Sequence, residues 1–174
     1  GYPGVDMLVL VLSDNDPWWP TSRYYGDSRI LVASGGNERC DSVLNGLQAL
    51  SMFAGRDDWV MVHDVARPCL RHADIDRLLG GLAWPGAILA SPTRDTMKRG
   101  ELNHRGEVVI AHTVDREQLW HALTPQVFPL GLLTEALQRA LTVGKNVTDE
   151  ASAIEMLGLQ PLLIAGRADN IKVT

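Results

Sequence analysis

The chain has 174 residues, of which 45% are hydrophobic and 21% charged, so it can bury one core and does not require two domains. A net charge of −5, without a basic stripe, argues against a nucleic-acid-binding surface. The longest apolar run, Met7–Leu12, is too short to cross a membrane. The two isolated cysteines, Cys40 and Cys69, are expected to be buried and reduced, which favours a cytoplasmic protein.

Short apolar runs recur along the chain, and polar residues or glycines follow each of them. This pattern is typical of strands that are buried on both faces of a parallel sheet. The predicted strands are, in chain order, Met7–Leu12, Ile30–Ala33, Trp59–Val62, Ala87–Ala90 and Pro161–Ile164.

Between these strands, apolar residues recur every three or four positions, as on one face of a helix. Helices are predicted over residues 40–50, 75–82 and 133–141, and the capping-box spacing of Asp115–Gln118 predicts a further short one. Alternating strands and helices predict one α/β domain over residues 1–174, a Rossmann-like three-layer sandwich with a mostly parallel sheet. Its ligands are expected at the carboxyl ends of the strands.

Residues 93–115 break this alternation. Two extended segments, about Asp95–Arg99 and Val108–Thr113, flank a polar turn and predict a β-hairpin. An isolated hairpin is marginally stable, so we expect this one to lie against another surface, such as a second subunit.

The segment His63-Asp-Val-Ala-Arg-Pro68 leaves the sheet directly after a predicted strand. Asp64 is a candidate Mg²⁺ ligand there, because Mg²⁺ takes one or two carboxylates and completes its shell with water and substrate phosphates. The alternative for Asp64 is a helix cap or an ion pair with Arg67. His63 is interpreted as a residue that fixes the turn.

Other candidate ligand contacts lie at the boundaries of predicted elements. Gly35-Gly36-Asn37 joins a strand end to a helix start, a geometry that presents backbone N–H groups to a base or a phosphate. Ser42 either reaches a ligand or bonds its own backbone, and Thr148 either caps a helix or contacts a ligand. The candidate phosphate-binding cations are Arg67, Arg116 and Lys172.

Six segments, in this order and at similar spacing, resemble those of one enzyme family. They are His63–Pro68, Arg94–Arg99, His112–Arg116, Leu123–Gln126, Thr148–Ser152 and Gly166–Thr174. Together they resemble the 2-C-methyl-D-erythritol 4-phosphate cytidylyltransferases of the non-mevalonate isoprenoid pathway. The resemblance implies a fold of the nucleotide-diphospho-sugar transferase type. It also implies transfer of CMP from CTP to 2-C-methyl-D-erythritol 4-phosphate, with Mg²⁺ required, giving 4-diphosphocytidyl-2-C-methyl-D-erythritol and pyrophosphate.

The same resemblance implies roles for individual residues. Those matching the surroundings of the cytidine are Gly36, Asn37, Ser42 and Val65, with Asp64 in the metal and ribose region. Those matching contacts to the erythritol phosphate are Arg67, Thr96, Thr124 and Thr148. Arg116 and Lys172 match the pair that positions the attacking phosphate. The hairpin matches the arm through which the family forms homodimers, so Thr96 and Arg116 would serve the neighbouring subunit's site.

The chain departs from the family pattern in several places. Asn37 stands where the family often has Asp, and Val65 where it often has Ala. The glycine-rich loop that cradles the triphosphate is absent, as is the usual tail, so the chain reads as incomplete at both ends and is expected not to turn over CTP by itself. The alternatives are a ribitol-5-phosphate cytidylyltransferase and a non-catalytic nucleotide-binding fragment; His112–Trp120 favours the methylerythritol enzyme over the ribitol one.

Overall fold

A computed structural model describes residues 2–145 and 147–173. Its strands are β1 (Leu8–Leu12), β2 (Ile30–Ser34), β3 (Trp59–Val62), β4 (Ala87–Pro92), β5 (Met97–Leu102), β6 (Val108–Val114), β7 (Trp120–Pro129) and β8 (Leu162–Ala165). Its helices are α1 (Arg39–Leu50), α2 (His72–Gly80), α3 (Leu130–Thr142) and α4 (Glu150–Glu155), with one 3₁₀ turn at Trp19–Thr21. In these two ranges no helix has the length and apolarity that crossing a bilayer requires.

The strands form three sheets. β1 and β2 pair in parallel, and β5 and β6 form the predicted antiparallel hairpin. The remaining strands form a sheet in the order β3-β7-β4-β8. In this sheet β8 is parallel to β4, whereas β7 is antiparallel to both β3 and β4. The α/β class is therefore confirmed. The mostly parallel sheet is not, because β1 and β2 pair apart from the other strands and β7 runs against the common direction of β3, β4 and β8.

The strand β7 is the element that the apolar pattern does not predict. Pro125 and Gln126 stand near its centre, and neither is typical of a central strand. Gln126 is nevertheless buried: its amide nitrogen donates to Asp149 Oδ2 at 2.9 Å, and its oxygen accepts the Ala151 N–H at 2.9 Å. Because the start of α4 satisfies both ends of the amide, burying it costs little.

Helices cover both faces of the four-stranded sheet, because alternate strand residues point to opposite sides. The core on the side of α1, α3 and α4 includes Leu47, Ile88, Phe128, Leu133 and Ile154. The core on the side of α2 includes Leu78, Ala87, Leu89 and Val127. The polar ends of the strands are thus held by two packed layers of side chains.

Replacing Leu133 with Ala should lower the free energy of unfolding by about 2–5 kcal/mol, because a fully buried side chain is truncated and a cavity is left. Urea denaturation followed by circular dichroism measures this loss. Leu141→Ala on the same helix is the matched control, since Leu141 is 40% exposed and should cost about 1 kcal/mol or less. Equal losses for the two variants would contradict close packing around Leu133.

Two local expectations are wrong. Asp115–Gln118 forms a turn instead of a helix: Gln118 lies in the left-handed region with φ 63°, and the Leu119 N–H donates to the Arg116 carbonyl at 3.1 Å. Cys40 is buried as expected, but Cys69 is exposed because it lies in the loop between β3 and α2.

Candidate functional site

Three polar segments meet beyond the carboxyl ends of strands. They are the turn from β2 into α1, the turn after β3 and the segment after β8. The Val173 N–H donates to the Ala66 carbonyl at 2.8 Å, and Arg67 Nη1 donates to the Asn170 carbonyl at 2.7 Å. These bonds hold the last segment against the turn after β3. The segments thus meet at the edge where α/β sheets bind their ligands, beyond the carboxyl ends of the strands.

Asp64 lies where the three segments meet. Its Oδ1 accepts hydrogen bonds from Arg39 Nε at 3.0 Å and Arg39 Nη2 at 2.8 Å, and its Oδ2 accepts one from Lys172 Nζ at 3.1 Å. Burial raises the pKa of Asp64, but the bonds from Arg39 and Lys172 outweigh it, so the pKa lies below its usual value. Asp64 is therefore ionised, and its described ion-pair partners are Arg39 and Lys172 instead of Arg67.

Arg39 also binds Glu150, the first residue of α4. Its Nη1 donates to Oε1 at 2.5 Å and its Nη2 to Oε2 at 3.1 Å, while Glu150 is only 1% exposed. Burial raises the pKa of Glu150, and Arg39 opposes that rise only in part. Sequence reasoning missed both residues. The sequence contained one signal for Arg39. A cation in the first turn of a helix faces the positive end of the helix dipole, so it needs a carboxylate partner.

His63 and Thr124 fix the backbone at Asp64. The Asp64 N–H donates to Thr124 Oγ1 at 3.1 Å, and Thr124 Oγ1 lies 3.0 Å from His63 Nδ1. His63 Nε2 lies 3.1 Å from the Arg67 carbonyl, which can only accept, so Nε2 carries the proton and Nδ1 accepts from Thr124. The hydroxyl of Thr124, predicted to contact the erythritol phosphate, is thus engaged inside the protein, and the residue is 4% exposed.

His63 should make folding stability depend on pH. Burial lowers the pKa of His63, so the folded protein disfavours the protonated ring. The stabilising contribution is complete above the unfolded pKa of 6.5 and is lost as the pH falls through the lower folded value. Urea unfolding between pH 7.5 and 5 should show a shallower decline for His63→Asn than for wild type. His104→Asn, at the exposed hairpin turn, is the control and should keep the wild-type slope.

The turn before α1 closes on itself. The Gly36 N–H donates to Ser42 Oγ at 2.9 Å, and Ser42 Oγ donates to the Glu38 carbonyl at 3.2 Å. Of the two roles left open for Ser42, the structure shows the bond to its own backbone. A Cβ on Gly36 would lie 2.2 Å from that of Asp41, so only glycine fits here. Asn37 follows at the exposed tip of the turn.

The predicted residues of the hairpin region lie at its base. Thr96 and Arg116 are exposed, and Arg116 Nη1 donates to the Arg94 carbonyl. Beside them, an open depression of about 440 Å³ is lined in part by Arg67, Arg94 and His121. Arg67 Nε is buried and has no partner in the described part of the chain. Lys172, which was predicted to act with Arg116 on the attacking phosphate, donates through Nζ to Asp64 Oδ2 at 3.1 Å.

Thr148 and Val65 are exposed near the site. Thr148 lines another open depression, of about 310 Å³. The cap of α4 is Asp149, whose Oδ1 accepts the Ser152 N–H at 3.0 Å, so of the two roles left open for Thr148 the helix cap is wrong. Val65 is 88% exposed, one residue beyond Asp64.

Few protein ligands are available for a metal ion at this site. Over residues 2–145 and 147–173, no group of three or more His, Cys, Asp or Glu side chains forms a metal-binding cluster. Asp64 is the predicted ligand, and its Oδ2 is held by Lys172, whose side chain is 42% exposed and can move away. A single carboxylate fits Mg²⁺, which keeps waters and phosphate oxygens as its other ligands.

The sequence pattern that defines the family described as 2-C-methyl-D-erythritol 4-phosphate cytidylyltransferase matches residues 1–174. A protein of that description from Photorhabdus laumondii is 51% identical over 182 residues, covering 99% of this chain and 73% of the relative. One from Salmonella arizonae is 52% identical over 175 residues, covering 99% of this chain and 71% of the relative.

Solved structures resemble the fold closely. A crystal structure described as 4-diphosphocytidyl-2C-methyl-D-erythritol synthase has a TM-score of 0.85 at 41% identity, covering 99% of this chain and 79% of that one. The 2-C-methyl-D-erythritol 4-phosphate cytidylyltransferase of Francisella tularensis has a TM-score of 0.80 at 34% identity, covering 97% of this chain and 75% of that one.

Proposed function

The chain belongs to the 2-C-methyl-D-erythritol 4-phosphate cytidylyltransferase family, and we propose that it transfers CMP from CTP to 2-C-methyl-D-erythritol 4-phosphate in isoprenoid biosynthesis. The products are 4-diphosphocytidyl-2-C-methyl-D-erythritol and pyrophosphate. The match along residues 1–174 carries this proposal. The polar edge around Asp64, with Arg39, Arg67 and Lys172 beside it, supports it, because two anionic substrates require local cations in a protein of net charge −5.

The turn before α1 would hold the cytidine. Gly36 has no room for a Cβ, its N–H donates to the Ser42 hydroxyl, and Asn37 lies at the exposed tip of the turn. Val65, exposed after β3, would lie near the base. The resemblance implies that Asn37 and Val65 depart from the common family pattern, so these are the positions where the contacts to cytosine would differ from those of relatives.

Asp64 is the residue that would hold Mg²⁺. The ion, when bound with the phosphates of CTP, would neutralise their charge and orient them. The protein's own contribution at this point is the ionised carboxylate, whose Oδ1 is held by Arg39 and whose Oδ2 contacts Lys172. Lys172 would free Oδ2 by turning toward phosphate.

The transfer itself needs positioning and electrostatic stabilisation. A phosphate oxygen of the polyol phosphate attacks the α-phosphorus in line, a new P–O bond forms, and the bond to the bridging oxygen of pyrophosphate breaks. Lys172 and Arg116 would hold the attacking phosphate, which would otherwise be repelled by the phosphates of CTP. Arg67, Thr96, Thr124 and Thr148 would surround the polyol; for Thr124, the contact would compete with its bond to His63.

A homodimer built through the hairpin would complete each site. Nearly every residue of β5 and β6 is exposed in the single chain, including the apolar Leu102, Val108 and Ile110 at 71%, 78% and 66%. Exposed apolar side chains on a two-stranded hairpin require a partner surface. Thr96 and Arg116 lie at the base of this arm and would reach the neighbouring subunit's site. Cytoplasmic localisation stays a prediction.

Pyrophosphate release with CTP, Mg²⁺ and either 2-C-methyl-D-erythritol 4-phosphate or ribitol 5-phosphate tests the proposal in the full-length enzyme. Faster turnover of the methylerythritol substrate is expected, and faster turnover of ribitol phosphate would reverse the choice of substrate. Nucleotide binding without transfer to either polyol would favour the non-catalytic alternative. Assaying residues 1–174 alone in parallel tests the expectation that this chain does not turn over CTP by itself.

A further inference from the structure

Arg39 joins three parts of the site that are far apart in sequence. Its own position is the first turn of α1, directly after the turn proposed to hold cytidine. Its guanidinium group bonds Asp64, 25 residues later, and Glu150, 111 residues later. The proposed nucleotide turn, the proposed metal ligand and the start of α4 beside Thr148 are therefore linked through a single side chain.

Glu150 fixes the plane of this guanidinium group. It bonds Nη1 through one oxygen and Nη2 through the other, at 2.5 and 3.1 Å, and it is 1% exposed. Paired hydrogen bonds of this kind set the orientation of an arginine as well as its position. The Glu150 carboxylate also has little conformational freedom, because it is buried at the start of α4. Its chain neighbours are the half-buried Asp149 and the buried Ala151.

The orientation imposed by Glu150 is transmitted to Asp64. Nε and Nη2 of Arg39 both donate to Asp64 Oδ1, at 3.0 and 2.8 Å, which occupies that oxygen. The other oxygen, Oδ2, contacts the exposed side chain of Lys172. Asp64 thus has one oxygen fixed by Arg39 and the other, Oδ2, on the side of the exposed Lys172.

We propose that Arg39 is a positioning residue, anchored by Glu150, that holds the Asp64 carboxylate with Oδ2 directed at the reacting groups. The proposal rests on the proposed function, which identifies the reacting groups. The geometry that supports it consists of the contacts of Arg39 alone. Arg39 itself is not assigned a contact with substrate. Its effect on turnover is exerted through the orientation of Asp64.

Conservative variants of the full-length enzyme separate positioning from simple stabilisation. Lysine keeps the charge of Arg39 but cannot bond two carboxylates in fixed planes, so Arg39→Lys should lower kcat by about thirtyfold with KM for CTP within about threefold of wild type. Glu150→Gln keeps the shape of the anchor and weakens it, and should lower kcat by about fivefold.

Arg77→Lys is the matched control, because Arg77 lies 3.6 Å from the buried carboxylate of Asp74 on α2. It should lower Tm and leave kcat unchanged.

A double-mutant cycle identifies the residue through which Arg39 acts. If Arg39 works by orienting Asp64, Arg39→Lys should change kcat by less than about twofold in an Asp64→Asn background, while the loss of Tm stays similar in both backgrounds. An equal loss of kcat with and without the Asp64 carboxylate would overturn the proposal. So would an Arg39→Lys enzyme with lowered Tm and wild-type kcat.

A crystal structure of the Arg39→Lys enzyme supplies a readout that does not depend on activity. The Asp64 side chain should adopt another rotamer or lose its Oδ2 contact with Lys172, which is 3.1 Å in the wild-type chain. An Asp64 carboxylate that keeps its wild-type orientation in the variant would overturn the proposal even if the wild-type enzyme transferred CMP. Absence of CMP transfer by wild type, with Asp64 reoriented in the variant, would count against the proposed function only.

Discussion

Replacing Arg116 with Ala should lower kcat by about a hundredfold or more, because one preorganised cation is removed from a transition state in which two anionic phosphates approach each other. Pyrophosphate release by the full-length enzyme at saturating CTP and polyol phosphate measures the loss. A residue that is exposed in the single chain would then be essential for turnover, as expected if it acts in the neighbouring subunit's site.

The control for this experiment is Arg105→Ala. Arg105 lies in the turn between β5 and β6, is exposed like Arg116, and belongs to the same hairpin. Its replacement removes the same charge from the arm, and kcat should stay at the wild-type value. Wild-type turnover by Arg116→Ala would show that Arg116 is an ordinary surface residue and that the attacking phosphate is held by other groups.

Mixing inactive Arg116→Ala and Asp64→Ala enzymes should restore activity. If each site takes Asp64 from one subunit and Arg116 from the other, a hybrid dimer contains one intact site and one site with both defects. Random exchange of subunits would make half of the dimers hybrids, so the mixture should reach about a quarter of wild-type activity. Pyrophosphate release measured before and after incubation of the two variants follows the recovery.

The structure provides a matched negative control for this mixture. Lys172 and Asp64 contact each other within one chain, so a hybrid of Lys172→Ala and Asp64→Ala would contain a defect in both of its sites. That mixture should remain inactive. No recovery with the Arg116 and Asp64 pair, although mass spectrometry shows hybrid dimers, would contradict a site shared between subunits.

Strands and helices with one continuous apolar face could be predicted from the sequence. β3 has the predicted bounds, and α1 and α3 begin and end within a few residues of the expected limits. β7 could not be predicted, because its buried Gln126 is satisfied by the N–H of Ala151 and the carboxylate of Asp149. These partners come from a helix more than twenty residues later, and no local pattern reveals them.

Sequence reasoning found the site residues whose role follows from their place next to a predicted strand. Asp64 was found because it lies two residues after a predicted strand, and Lys172 because its segment follows the signal for a strand and a turn. Arg39 and Glu150 were missed because their importance depends on a contact across 111 residues. The roles of Ser42 and Thr148 were left open, since a hydroxyl at a helix start can bond the backbone or a ligand. In the folded chain the Ser42 hydroxyl accepts the N–H of Gly36 in its own turn.

The ion pair between Lys172 and Asp64 has a consequence for the design of inhibitors. A purely anionic compound that recruits Lys172 must separate it from Oδ2, so its binding should depend on a Mg²⁺ ion that replaces the ammonium group there. A compound that carries an ammonium group beside its phosphate or carboxylate could occupy Oδ2 itself while Lys172 binds the anionic end. Without Mg²⁺, this edge of the sheet should therefore bind zwitterionic molecules more tightly than dianions of the same size.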